Sequence, residues 1–377
     1  MKERGFNDKT IEKFEIGYSI KKIDDFSYNA NKAGYKTNYL EKTGLTIVKE
    51  SNSIDRFRGR IIFPIRSMSG RVLGFGGRIL GAGKNIAKYI NSPESLIYQK
   101  SKVLYGIFEG KQSIVKEDNC YLVEGYTDVI KMYQSGITNV VASSGTALTE
   151  NQIRLINRLT KNITVVFDGD EAGSRATLRG IDLILEQGMN VKICNLPKNE
   201  DPDSFVSEKS LDQVKSYFTE NSKDFIVYKA SLLLNESNND PVKKAGVIRD
   251  MVESIAKISD QIKREIYVKE CSSIMDISEQ VLYSTLAQII KQDFNAQKKK
   301  PKKIFEPISI VKSDKNKRQV NALYELEKKI IEILLLYGNE SIDFEEEVFS
   351  QNDKGVSETN LSKRSLKVFE KVYMDLH

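Results

Sequence analysis

Three short acidic segments hold the side chains best able to do chemistry: Glu124-Gly-Tyr-Thr-Asp128, Asp168-Gly-Asp170 and Asp201-Pro-Asp203. The first two directly follow apolar runs of strand character, and the third comes a few residues after the last such run. In an open α/β sheet, ligands bind outside the carboxyl ends of the strands, so the three segments are expected to bring their acids to one edge. A glycine beside an acid lets the backbone turn sharply, and Pro202 fixes φ between two aspartates. Such a cluster repels itself unless a cation lies within it. Oxygen donors alone suit Mg²⁺ or Mn²⁺, and a pair of such ions is the usual apparatus of in-line phosphoryl transfer. A lone Asp-Gly-Asp is a common surface turn. Three acid groups in succession at strand ends point to a site.

Scarce residues narrow the chemistry further. The only histidine is His377, which excludes histidine-based triads and His-rich metal centres. Cys120, Cys194 and Cys271 are far apart and form no CxxC pair, so neither a structural zinc site nor a disulfide framework is expected. Cys120 and Cys194 lie in apolar runs and read as core residues. No P-loop is present: before Gly83-Lys84 the first required glycine is Arg78, and Asn85 stands where Ser or Thr belongs. Gly74-Phe-Gly76-Gly77 lacks the third glycine of a dinucleotide fingerprint. No apolar run approaches membrane-spanning length and no signal segment is visible, so a cytoplasmic protein without a membrane partner is expected.

The net charge of +6 over 377 residues conceals a strong asymmetry. Residues 56–102 carry Arg56, Arg58, Arg60, Arg66, Arg71, Arg78, Lys84, Lys88, Lys100 and Lys102 against Glu94 alone, a balance of +9. Phe57, Phe63, Phe75, Tyr89 and Tyr98 interleave with them. Cations at this density, with stacking rings between them, suit nucleic-acid or nucleotide phosphates. Residues 291–318 carry ten Lys/Arg and three acids and read as a solvated tether.

The elements that must position these groups follow from the apolar pattern. The length predicts two or three domains. Residues 1–50 read as helical and charged, with Ile11, Phe14 and Ile16 as apolar anchors. The run RIIFPI at 60–65 is a strand, and residues 70–78 read as a turn, a strand and a tight glycine segment. Strands are predicted at 119–123, 139–142, 163–167 and 191–194. Helices at 127–135, 149–159 and 171–187 alternate with them, the second opened by a Thr149–Gln152 capping box. Short apolar strands separated by helices imply a parallel sheet with right-handed crossovers. Residues 221–290 read as helical throughout, with Ile255, Ile258, Ile262 and Ile266 marking an apolar stripe. Another amphipathic helix is predicted over 319–337. The fold class is α/β in the broad sense (α+β): a basic N-terminal α+β part, a central parallel sheet flanked by helices, and a C-terminal helical bundle.

In their order along residues 1–290 these motifs resemble the Toprim-containing bacterial DNA primases. The elements are RFRGRIIFP at 56–64, GRVLGFGGR at 70–78, KYINSPE at 88–94, and then the three acidic segments. The acids alone would also admit Toprim topoisomerases, nucleases and recombination mediators. The basic segment and the Asn91-Ser-Pro-Glu94 element point to primase. The resemblance implies a DNA-directed RNA polymerase core. Residues 1–115 would be a basic subdomain, 116–220 the Toprim domain, 221–290 a helical subdomain, 291–318 a linker, and 319–377 part of a helical helicase-interaction region, short for a full one. It implies that Asp168, Asp170 and Asp203 hold metal, helped by Asp128 and Asp201, with Glu124 as a ligand or as general base. Arg71, Arg78 and Lys88 would contact template or nucleotide, with Gly76 and Gly77 permitting close approach. Arg56, Arg58, Arg60, Arg66, Tyr89, Asn91 and Ser92 belong to the same expected nucleic-acid and nucleotide surface. Single-stranded DNA, ribonucleoside triphosphates and the replicative helicase are the implied partners, at the replication fork. The family's zinc-ribbon module has no counterpart in the sequence, so no zinc is expected. A Toprim nuclease or topoisomerase, or a silent DNA- or helicase-binding remnant, are the rival readings.

Overall fold

A computed structural model describes residues 1–49, 52–81, 87–145, 147–169, 175–237, 240–299, 329, 331, 341–351 and 357–367. In the N-terminal part, short helices α1 (Asp8–Lys13), α2 (Asp25–Lys32) and α3 (Thr37–Lys42) alternate with short strands. The strands are β1 (Gly17–Ser19), β2 (Thr46–Lys49), β3 (Asn52–Asp55), β4 (Arg60–Arg66), β5 (Val72–Ile79) and β6 (Tyr89–Asn91). β1, β4, β5 and β6 make an antiparallel sheet in that order, and β2 and β3 form a separate ribbon. Asp55 ends β3 and ties the ribbon to α2 by accepting hydrogen bonds from the Phe26 and Ser27 amides at that helix's start. The glycine segment runs as a regular part of β5, with Gly76 opposite Phe63 and Gly77 opposite Ile62.

The central sheet has the order β11-β10-β9-β7-β8. Its elements in sequence are α4 (Ile107–Glu117), β7 (Cys120–Val123), α5 (Tyr126–Ser135), β8 (Val140–Ala142), α6 (Glu150–Asn157), β9 (Asn162–Phe167), α7 (Arg175–Glu186), β10 (Asn190–Asn195), α8 (Pro202–Ser207), α9 (Leu211–Asn221) and β11 (Ser222–Asp224). β7, β8, β9 and β10 pair in parallel. β11 joins as an antiparallel edge, where the sequence pattern predicted only helix. The capping box at Thr149–Gln152 opens α6 as predicted. Successive residues of one strand enter different cores, as a period of two requires. Leu122, Val165 and Ile193 join the cluster containing α6 and α7, whereas Val123, Val166 and Cys194 join the one containing α5, α8 and α9. All three cysteines are buried, which bears out the core reading of Cys120 and Cys194.

Helices α10 (Phe225–Ser237), α11 (Pro241–Lys257), α12 (Gln261–Met275) and α13 (Glu279–Lys299) follow. The isoleucine stripe is interrupted here. Ile255 and Ile258 are buried, but Ile262 and Ile266 are 73% and 59% exposed. The cause is a break: α11 ends before Ile258, and Asp260 starts α12 by accepting from the Ile262 and Lys263 amides, which resets the helical phase.

Residues 1–300 form one compact unit and residues 301–377 a second. The predicted linker from 300 onward lies outside the described residues. So does nearly all of the helix predicted over 319–337, where only Lys329 and Ile331 are described, both helical. The second unit contains an antiparallel hairpin, β12 (Ser341–Gln351) with β13 (Ser357–Lys367), instead of the helical tail expected there. Its register sets Ile342 opposite Leu366 and Glu345 opposite Lys363.

Candidate active site

The acidic segments sit where the parallel strands end. Glu124 follows β7 and Asp168 follows β9, its parallel neighbour. Gly125 caps α5, and its amide donates to Asp128 Oδ2 at 2.9 Å, so Asp128 also finishes the helix start. The half-buried Asp128 carboxyl is pushed up to about 7, first by burial and then by the charges of Asp168, Asp201 and Asp203, with the Gly125 N–H opposing. Asp128, on the first segment, thus feels the charges of acids on the other two.

The turn after Asp168 is stitched to the segment before Asp201. The Gly169 amide donates to the Glu200 carbonyl at 3.0 Å, and a Cβ at Gly169 would lie 2.1 Å from the Pro197 carbonyl oxygen. Only glycine allows this approach. Asp201 is the N-cap of α8, with Oδ1 accepting from the Ser204 amide at 2.7 Å and Pro202 in the first turn. Asp203 accepts from Arg4 Nη2 at 2.7 Å, and Lys131 Nζ stands 3.9 Å from its other oxygen. Its carboxyl is raised by burial, against the pull of Lys131. Asp170 lies outside the described residues.

Among the described residues no three acid, Cys or His groups converge tightly enough to form a metal-binding group. The donor chemistry still fits a hard divalent cation. It is oxygen only, and the charges of Asp168, Asp201 and Asp203 add to the burial that raises the Asp128 carboxyl. One oxygen of Asp201 and one of Asp128 are each committed to a helix cap, and Asp203 faces two internal cations.

The basic segment divides into inward and outward groups. Arg58, Arg71 and Lys88 are exposed, whereas Arg56 and Arg78 are half-buried. Buried Arg60 donates from Nη1 to the carbonyls of Gly77, Ala87 and Lys88 at 3.0–3.3 Å, bracing the sheet instead of facing a ligand. Buried Arg66 pairs with Glu15 and Glu109 and lies over the Phe108 ring. Ser92 is buried with its hydroxyl accepting from the Phe75 amide. Gly76 and Gly77 admit this protein's own rings. A Cβ at Gly76 would meet Tyr126 at 2.6 Å, and one at Gly77 would meet Phe57 at 2.6 Å. Arg60, Arg66, Ser92, Gly76 and Gly77, expected to face template or nucleotide, make these internal contacts in the structure.

Arg78 is placed differently. It lies over the Tyr89 ring at 5.5 Å, its charge reaches Asp203, and its buried Nη1 has no hydrogen-bond partner. The Asn91 amide meets the Tyr126 hydroxyl at 2.6 Å; turned so that its nitrogen donates there, its oxygen accepts from Lys100 Nζ at 3.0 Å. Tyr126 also stacks on Phe63 at 5.3 Å and meets Tyr105 edge-on, which joins the basic sheet to the acid-bearing helix. Sequence reasoning missed Arg4, Lys131 and Tyr126. The available signal was a lysine in the apolar stretch of α5, one turn after Asp128.

Family profiles match three stretches: the N-terminal domain of the DNA primase catalytic core over residues 1–111, a Toprim-like domain over 121–206, and a DnaB-helicase binding domain of primase over 231–280. The solved DNA primase domain from Pseudomonas aeruginosa superposes with a TM-score of 0.68 at 31% identity, covering 77% of this chain and 91% of that one. The chain belongs to the bacterial DNA primase family. A DnaG primase catalytic domain solved with single-stranded DNA gives a TM-score of 0.66 at 30% identity, covering 74% of this chain and 88% of that one. The DNA primase of Clostridium acetobutylicum is 37% identical over 295 residues, 78% of this chain. That stretch is 48% of the Clostridium protein, so the chain spans about half the length of the curated relatives it matches. The helicase-binding profile falls on α10–α12, upstream of the region after the linker where helicase contact was expected.

Proposed function

We propose that the chain is the catalytic core of a primase, extending RNA primers on single-stranded DNA by nucleotidyl transfer. The observation that carries this reading is that acids from all three segments act on Asp128 at the strand ends, in a chain 31% identical to a solved primase domain. Mg²⁺ or Mn²⁺ would be held by Glu124, Asp168 and Asp170, with Asp128 beside them and Asp201 and Asp203 as outer support. When bound it would draw charge from the reacting phosphate and the departing pyrophosphate.

The chain's own groups orient and neutralise. Arg78, whose charge reaches Asp203, would bind a phosphate oxygen of the nucleotide. Exposed Arg58, Arg71 and Lys88, with Arg56, would track the template backbone, and Tyr89 and Asn91 would line the base. Glu124 would hold the cation or accept the 3′-hydroxyl proton. Residues 1–115, 116–220 and 221–290 would act together in this reaction, with helicase contact through α10–α12. No helix among the described residues is long and apolar enough to cross a membrane. A place in the cytoplasm, at the nucleoid, fits the reaction.

Primer synthesis on single-stranded template with ribonucleotides and Mg²⁺ or Mn²⁺ tests the proposal. Asp168→Ala combined with Asp170→Ala is expected to abolish product, and unchanged synthesis would refute the assignment. Relaxation or nicking of supercoiled plasmid would favour the Toprim nuclease or topoisomerase reading. DNA binding without incorporation on pre-primed template would favour a silent remnant.

A further inference from the structure

Lys131 is a buried lysine in a place where burial is costly. It lies on α5, one turn after Asp128, among the core residues Val129, Ile130 and Met132, and is 6% exposed. A lysine rarely enters a core without partners. Here Nζ donates to Ser207 Oγ at 3.2 Å, lies over the Phe6 ring at 4.8 Å and stands 3.9 Å from Asp203 Oδ1. Gly5 makes room for it, since a Cβ there would come within 2.9 Å of Nζ. Arg4 takes the other Asp203 oxygen at 2.7 Å, but its side chain is 41% exposed. Asp203 thus has two built-in cations, one free to swing away and one walled in.

We infer that Lys131 is a positioning residue of the acidic edge: it holds Asp203 and supplies charge there that a divalent cation would otherwise supply. The inference rests on the reading of that edge as a divalent-cation site. An ammonium beside a carboxylate lowers that carboxylate's attraction for a second cation and repels the ion itself. Arg4 can leave for a phosphate, whereas Lys131 is buried between Ser207 of α8 and the Gly5–Phe6 segment. Asp203 therefore answers first to an internal partner, and cation affinity is set by Lys131 as well as by the ligands.

The test is Mn²⁺ binding to the full chain, followed by calorimetry or by the electron spin resonance of free Mn²⁺. Lys131→Met keeps the stem and removes the charge, and is expected to tighten Mn²⁺ roughly tenfold. Lys131→Arg should stay within about twofold of the parent. In an Asp203→Asn background the tightening from Lys131→Met should shrink to less than about threefold, because no carboxylate is left to release. Thermal melts establish that each variant folds, and Lys131→Gln replaces Lys131→Met if the latter does not. Unchanged affinity in Lys131→Met, while the parent binds Mn²⁺, would overturn the inference alone. Equal tightening in both backgrounds would also overturn it, leaving Lys131 a bare charge that does not act through Asp203. Absence of Mn²⁺ binding in the parent and every variant would overturn the cation-site reading together with it.

Discussion

Asp128→Asn should make the cation-free protein more stable at neutral and alkaline pH. The Asp128 carboxyl stands at about 7 against an ordinary 3.8, with burial the main cause and neighbouring acids next. Below pH 4 both folded and unfolded chains keep the proton, and the group contributes nothing. Between about 4 and 7 the unfolded chain ionises while the folded one resists, so stability falls as pH rises. Above 7 the penalty is complete. Holding the charge at that position costs at most about 4 kcal/mol. Partial solvent access reduces this to roughly 2 kcal/mol at pH 8. Asparagine keeps an oxygen for the Gly125 amide, so the helix start survives. Urea denaturation of both proteins in chelator, from pH 4.5 to 8.5, should give curves that are closest at the acid end and separate steadily to about pH 7. Excess Mg²⁺ should favour the ionised parent and narrow or reverse the gap. Parallel curves in chelator would refute the reasoning.

Other outcomes separate structure from chemistry. Arg60→Met should cost about 2 kcal/mol in a denaturation midpoint, because three carbonyls lose their donor. Arg71→Ala should leave stability alone and reduce the slope of log affinity for single-stranded DNA against log salt by about 0.7. Arg66→Met should cost about 3 kcal/mol at pH 8 by leaving Glu109 unpaired. That cost should shrink toward pH 5, since burial already raises the Glu109 carboxyl and its protonated form needs no partner. Gly169→Ala should lower primer synthesis by about a hundredfold with a smaller loss of stability, because the new methyl drives the Asp168 turn away from Pro197.

The sheet that carries the acids was legible because its parallel strands are buried on both faces and read as continuous apolar runs. The capping box at Thr149 announced its helix just as directly. Strands such as β1 and β11 are three residues long, GYS and SKD, and exist only through pairing with β4 and β10, which no local pattern records. Ile262 and Ile266 continued a spacing whose helix had already ended. The basic segment was legible as charge but not as direction. Composition does not tell that Arg60 is consumed by carbonyls and Arg66 by carboxylates, nor that Gly76 and Gly77 serve rings of this chain. The apolar stretch around Lys131 marked it as buried, but its partner Asp203, 72 residues away, left no trace in the local pattern.

The ring of Tyr126 resting on bare backbone at Gly76 has a consequence for descent. Tyr126 lies two residues after Glu124, and Gly76 two before Arg78, so one contact ties the spacing of the acid to that of the base. A lineage that gained a side chain at 76 would have to shed the ring at 126, and with it the hydroxyl that meets Asn91. Positions 76, 91 and 126 are therefore expected to be inherited as a set. Drift in one would be tolerated only when the others change with it, however freely the surrounding surface varies.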